Sequence, residues 1–164
     1  MASRAVRSVL LLACLAVAAC AAPQDDIAVS RAGPQLYPGE THELRQLINK
    51  YADEYEVPRT LVHRVVQRES DYRPEARNGP YFGLMQILPA TARGMGFDGQ
   101  ATDLLDPETN LMWAVKYLRG AWLLSDTEPE AVGWYARGYY YEARDRCMLV
   151  ATGLNDREIS RSCR

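Results

Sequence analysis

Glu69 is the residue of this chain best placed to do chemistry. It falls seven residues after Val62, four after Val65 and three after Val66, so it continues an apolar helical stripe while Arg64, Gln67 and Arg68 occupy other faces. A carboxylate at the edge of a core is costly when ionised, and desolvation raises its pKa. A carboxyl group kept protonated near neutral pH can serve as a general acid. Two plainer readings stand beside this one: a buried Glu paired with an Arg, or a Glu that emerges at the helix end. Asp71 lies two residues further round the helix, which argues against a second catalytic carboxylate there. His42 and His63 belong to no ligand cluster and read as solvated or packing residues.

The elements that must hold Glu69 are helices. Leu44, Leu47, Ile48, Tyr51, Ala52 and Tyr55 recur at 3.6-residue spacing, with Thr41 as a cap. Pro58 opens a second helix whose inward stripe is Leu61, Val62, Val65 and Val66, and Pro74 closes it. Pro89 starts a short helix ending at Gly94 or Gly96. Asp106-Pro107 caps a long helix with Leu111, Met112, Val115, Leu118 and Trp122 inward, and a further helix runs from about Glu128 through Tyr135. Trp113 and Trp122 sit at core spacing. No period-2 strand is evident, so the class is mainly α.

Around Glu69 the sequence carries a set of short motifs. Glu69-Ser70 is followed by Pro74 and Ala76, then Gly83-Leu84-Met85-Gln86-Ile87, then Pro89 and Thr91-Ala92. Leu105-Asp106-Pro107, Asn110 and Tyr117-Leu118 follow in order. Together, from about Tyr55 to Gly138, this segment resembles the family 1 lytic transglycosylases. The resemblance implies a lysozyme-like helical domain with a glycan-binding cleft, acting on the β-1,4 bond between N-acetylmuramic acid and N-acetylglucosamine of peptidoglycan. Family members form a 1,6-anhydromuramoyl end instead of adding water. By the same resemblance Glu69 matches the single catalytic acid/base, and Ser70, Met85 and Gln86 match positions lining the cleft. Tyr135 matches the tyrosine of an Ala-Tyr-Asn motif, whose hydroxyl helps hold the catalytic Glu. Such chemistry calls for no metal or organic cofactor.

The chain departs from the family at two places. Asn78-Gly79-Pro80-Tyr81-Phe82 is about one residue shorter than the usual segment, and Ala136 stands where the family has Asn. Asn78 and Arg137 are the residues at hand to compensate. Tyr81 and Phe82 adjoin Gly83, so Tyr81 reads as a substrate contact. Tyr139, Tyr140 and Tyr141 cannot all face one cleft from a helix, so one or two belong to core packing. Two rival functions remain open: a hydrolytic muramidase using Glu69 with a distant Asp, Asp98 or Asp103, and a non-catalytic peptidoglycan-binding or envelope-assembly lipoprotein.

Outside this segment the chain carries an address. Arg4 and Arg7 precede an apolar run from Val9 to Ala19, too short to span a bilayer as a helix. Residues 1–19 read as a signal peptide. Val17-Ala18-Ala19-Cys20 resembles the bacterial lipobox, with ordinary signal-peptidase cleavage as the alternative. Residues 20–39, with Pro23, Pro34 and Pro38, read as a lipidated Cys20 and a flexible tether. Residues 40–146 form the catalytic domain and 147–164 a C-terminal tail. With Cys14 discarded and Cys20 acylated, Cys147 and Cys163 remain as a disulfide pair in an oxidising compartment. The expected location is the periplasmic face of a Gram-negative outer membrane, with glycan strands and the membrane as partners. The formal charge of −2, more negative once the leader is removed, argues against a nucleic-acid partner. Cys20→Ala is expected to release the protein from the membrane fraction; unchanged fractionation would refute the anchor.

Overall fold

A computed structural model of the chain describes residues 35–163. The leader, Cys20 and most of the tether lie outside the described residues. Thr41 Oγ1 accepts the Leu44 N–H at 3.2 Å, satisfying one open donor at the start of α1 (His42–Glu54). Leu44, Ile48, Tyr51 and Ala52 on α1 are buried, as the spacing predicts. α2 (Arg59–Ser70) takes Pro58 as its cap, not as its first helical residue. It ends where Asp71 and Tyr72 both adopt left-handed backbone (φ 49° and 60°). The helix has therefore stopped before Pro74 is reached, which corrects the terminus read from the proline.

The chain then forms a hairpin that the sequence pattern misses. β1 (Arg77–Asn78) and β2 (Tyr81–Phe82) pair antiparallel, Arg77 opposite Phe82 and Asn78 opposite Tyr81. Two-residue strands are too short to display alternation. A bridge from Phe82 to Ile87 folds the following loop back against β2.

α3 (Pro89–Gly94) and a 3-10 turn (Ala101–Leu105) lead into α4 (Pro107–Leu123). Asp106 Oδ2 caps α4 by accepting the Thr109 N–H at 2.8 Å. α4 packs against α1, α3, the 3-10 turn and α5 (Glu128–Arg137). Its Leu111, Ala114, Val115 and Leu118 have no exposed surface, nor do Leu61, Val62, Val65 and Val66 of α2. Met112, Trp113 and Trp122 are only partly buried against this core. A last helix, α6 (Tyr140–Asp145), carries no motif that announced it. Of the three consecutive tyrosines only Tyr139 is buried; its hydroxyl donates to the Tyr117 carbonyl at 2.7 Å. The architecture is mainly α, with six α-helices among the described residues.

Where the described chain enters the domain, the Glu40 carboxylate is buried and accepts Arg45 Nε–H and the Tyr37 N–H, each at 2.8 Å. Burial alone would raise its pKa; these hydrogen bonds and the nearby His63 and Arg45 bring it below the ordinary value. His63 is itself buried, its Nδ1 3.0 Å from the Tyr72 hydroxyl.

At the other end Cys147 and Cys163 are joined by a disulfide, with Cα atoms 5.5 Å apart and a sequence separation of 16. Leu149 inside that loop is fully buried, so the tail is packed as well as bridged. Replacing both cysteines with Ser is expected to lower the unfolding free energy by about 3 kcal/mol through the freed denatured chain. Urea denaturation followed by circular dichroism measures the loss, with the folded-state helical signal unchanged.

Candidate active site

Glu69 lies in the last turn of α2, above fully buried Val65 and Val66, and its side chain retains 23% exposure. Desolvation raises its carboxyl above the ordinary value. Arg68, whose Nε lies 3.6 Å from Glu69 Oε1, opposes that rise without cancelling it. The carboxyl faces a cleft of about 320 Å³ lined by Arg68, Asn78, Tyr81, Gln86, Tyr135 and Ala136. A second hollow of about 220 Å³ shares Tyr81, Gln86, Tyr135 and Ala136, and continues past Thr91 and Tyr117 to Arg137 and Gly138. Glu69 is the sole carboxylate lining either space among the described residues. A larger, more apolar hollow of about 830 Å³, bounded by Leu44, Leu47 and Leu105, shares no residue with them.

The floor of the cleft is the Gly83–Gln86 loop, and Asn110 of α4 fixes it. This side chain is fully buried and fully used: Oδ1 accepts the Met85 N–H at 3.0 Å, and Nδ2 donates to Phe82 O at 2.9 Å and Leu104 O at 2.8 Å. Gly83 has φ 72°, and a Cβ there would collide with the Asn110 amide and the Leu104 carbonyl. Only glycine permits that approach. Gln86 adopts left-handed backbone (φ 48°) without being glycine, an arrangement seen where surrounding contacts over-determine a site. Its Nε2 donates to Ala76 O at 3.0 Å and Gly83 O at 2.9 Å. Both partners are acceptors, so the amide nitrogen must face them. Oε1 is left buried with no partner among the described residues.

Several expected site residues play other parts. Ser70 is buried and its hydroxyl donates to the Val66 carbonyl at 3.2 Å, so it lines no cleft; one step beyond Glu69 turns it into the core. The Met85 side chain is likewise fully buried. It serves through its backbone, because the Tyr135 hydroxyl donates to the Met85 carbonyl at 2.8 Å. That bond corrects the expectation that the hydroxyl holds Glu69. Burial, with the Glu69 charge nearby, drives the Tyr135 phenol well above its ordinary pKa, so it stays protonated and donating. The Tyr117 ring lies 5.6 Å from that of Tyr135, and burial pushes its pKa up to about 12. Tyr81, half exposed on β2, lines both spaces, and Gln86 does the same. Asp71, Asp98 and Asp103 line neither space, and Asp103 Oδ2 is committed to the Gln100 N–H at 2.8 Å.

Asn110 is the residue whose part the motifs do not disclose. Its signal is the one that picks out Glu69, a polar residue in register with Ala114 and Leu118 on a buried helical stripe. No three His, Cys, Asp or Glu side chains among the described residues converge as a metal-binding group.

Residues 46–144, well over half of the chain, match the protein family described as Transglycosylase SLT domain. No solved structure matches the chain significantly.

Asn110→Asp keeps the shape of the hub but turns its donor face into an acceptor against two carbonyls. It is expected to cost about 3 kcal/mol of stability at neutral pH. The new carboxyl, repelled by those carbonyls, takes a raised pKa in the folded state. The deficit relative to wild type therefore shrinks as pH falls through that pKa and the protonated acid regains one donor. Denaturant titrations of both proteins across pH measure this.

Proposed function

Since the chain belongs to the transglycosylase SLT domain family, the lytic transglycosylases of the lysozyme-like superfamily, we propose that it cleaves the β-1,4 bond between N-acetylmuramic acid and N-acetylglucosamine and leaves 1,6-anhydromuramoyl ends. Membership implies a transglycosylase-type enzyme acting on peptidoglycan in the periplasmic or extracellular space. The observation that carries the finer reading is the single carboxylate lining the cleft among the described residues, with its pKa raised by burial. Most glycosidases that add water use two, one as acid and one as nucleophile or base.

In this scheme protonated Glu69 gives its proton to the leaving glycosidic oxygen. The muramoyl N-acetyl oxygen assists at the anomeric carbon, giving an oxazolinium-type intermediate. Glu69, now ionised, takes the proton of the same sugar's C6 hydroxyl, which attacks the anomeric carbon and closes the anhydro ring as the oxazolinium opens. The nucleophile belongs to the reacting sugar, so its effective concentration is high. Gln86 lines the cleft with its amide pinned to the Ala76 and Gly83 carbonyls, so it serves as a fixed floor beneath the sugar. Tyr81 supplies a half-exposed ring for the sugar face. Cys20 is the proposed lipid anchor that would hold the enzyme at the outer membrane; among the described residues no helix is long and apolar enough to cross a membrane.

Digestion of purified sacculi tests this reading. Wild type is expected to release anhydromuropeptides by mass spectrometry, and Glu69→Gln to lower that release about 10³-fold. Products with only reducing ends would overturn it, as would intact sacculi that still bind the protein. Activity should fall as pH rises through the raised pKa of Glu69, because the acid form is the proton donor. The wild-type fold also loses stability over that rise, since ionised Glu69 is poorly solvated. Glu69→Gln is therefore expected to melt higher than wild type at alkaline pH, with the difference closing on acidification.

A further inference from the structure

Arg137, in the last turn of α5, is a cation without a carboxylate partner among the described residues. Its guanidinium carbon stands 3.8 Å from the centroid of the Trp134 ring, close enough to lie flat upon it. Gly133 makes that posture possible: a Cβ there would come within 2.6 Å of Arg137 Nη1. Arg137 borders two spaces at once. One is the hollow that shares Tyr81, Gln86 and Tyr135 with the Glu69 cleft, and the other is a neighbouring cavity of about 330 Å³ containing Tyr140 and Tyr141. The carboxylate that also borders the latter, Glu142, is engaged by Arg146 at 2.6 Å. Glu69 borders neither of the two.

We propose that Arg137 is a carboxylate-binding residue that holds an acidic group borne on the lactyl arm of a muramoyl sugar in the adjoining cleft. The inference rests on the glycan-cleaving reading. In a strand of alternating sugars only the muramoyl residues carry such an arm, which ends either in its own carboxylate or in a stem peptide with carboxylates of its own. A guanidinium pre-placed on an aromatic face offers a planar fork to either. With a net charge of −2 the protein draws no anionic polymer by bulk attraction, so a fixed local cation can choose which sugar lies beside it.

Binding measured in the Glu69→Gln protein, which holds strands without cutting them, tests this with three glycans of equal length. These are strands bearing stem peptides, strands stripped to free lactyl carboxylates, and chitooligosaccharides that carry no carboxylate. One or both muramoyl probes should bind about tenfold tighter than the chitooligosaccharide. Adding Arg137→Gln should abolish that preference, and Arg137→Lys should retain part of it. Gly133→Ala, which shifts the guanidinium but keeps its charge, should weaken it. A preference confined to stem-bearing strands assigns the peptide carboxylates, and one confined to stripped strands assigns the lactyl carboxylate. If Arg137→Gln weakens all three probes equally, or none, the proposal is overturned while the glycan reading stands. If no probe binds at all, it is the glycan reading that falls, and this inference with it.

Discussion

The amide of Asn110 sits where three segments of backbone meet, and each of its three hydrogen bonds ties one of them to α4. Without it, the Met85 N–H and the Leu104 carbonyl would be polar groups buried in an apolar core, and the Phe82 carbonyl would keep only the Ile87 N–H. With it, β2, the Gly83–Gln86 loop and the 3-10 turn share one register. The consequences run outward. Because the Met85 N–H is held by Asn110, its carbonyl is presented to the Tyr135 hydroxyl of α5. Gln86, the next residue, is forced into left-handed backbone and pinned by its own amide. The floor of the Glu69 cleft thus takes its position from a side chain that lines none of it.

How much of this could be read in advance depended on the length over which a pattern extends. α1, α2 and α4 announce themselves because apolar residues recur over three or more turns, and Thr41 and Asp106 cap two of them. Glu69 was legible for the same reason, as a polar residue in an apolar register. The hairpin was not, since two-residue strands have no period. α6 was not, since six residues that open on two tyrosines and bury only Ala143 give no clean stripe. Side-chain direction was the harder matter. Ser70 and Met85 belong to motifs that adjoin the cleft, yet a step of one residue on a helix or a tight loop turns a side chain into the core. Sequence neighbours of a site residue share its address but not its outlook.

Electrostatically the site is built by withholding partners. Glu69 receives one nearby cation, Arg68 at 3.6 Å, and no hydrogen bond among the described residues strong enough to offset its burial. Glu40 shows the opposite treatment: a buried carboxylate given an arginine and a backbone N–H, and so held ionised. The same residue type is made an acid in one place and a fixed anion in the other by what surrounds it. The first costs the fold stability in its ionised form and the second recovers it.

The bridge between Cys147 and Cys163 begins beyond the span that matches the family, which ends at residue 144. Every residue that forms the Glu69 cleft or holds its floor precedes it. The disulfide closes a segment that shares no hydrogen bond with the motif loop among the described residues, although Leu149 within it packs into the same core. Two kinds of closure thus serve two parts of the chain: hydrogen bonds from Asn110 hold the motif loop, and a covalent bond holds the tail. Reducing conditions would act on the tail alone, because the contacts that hold the centre contain no bond a thiol can exchange.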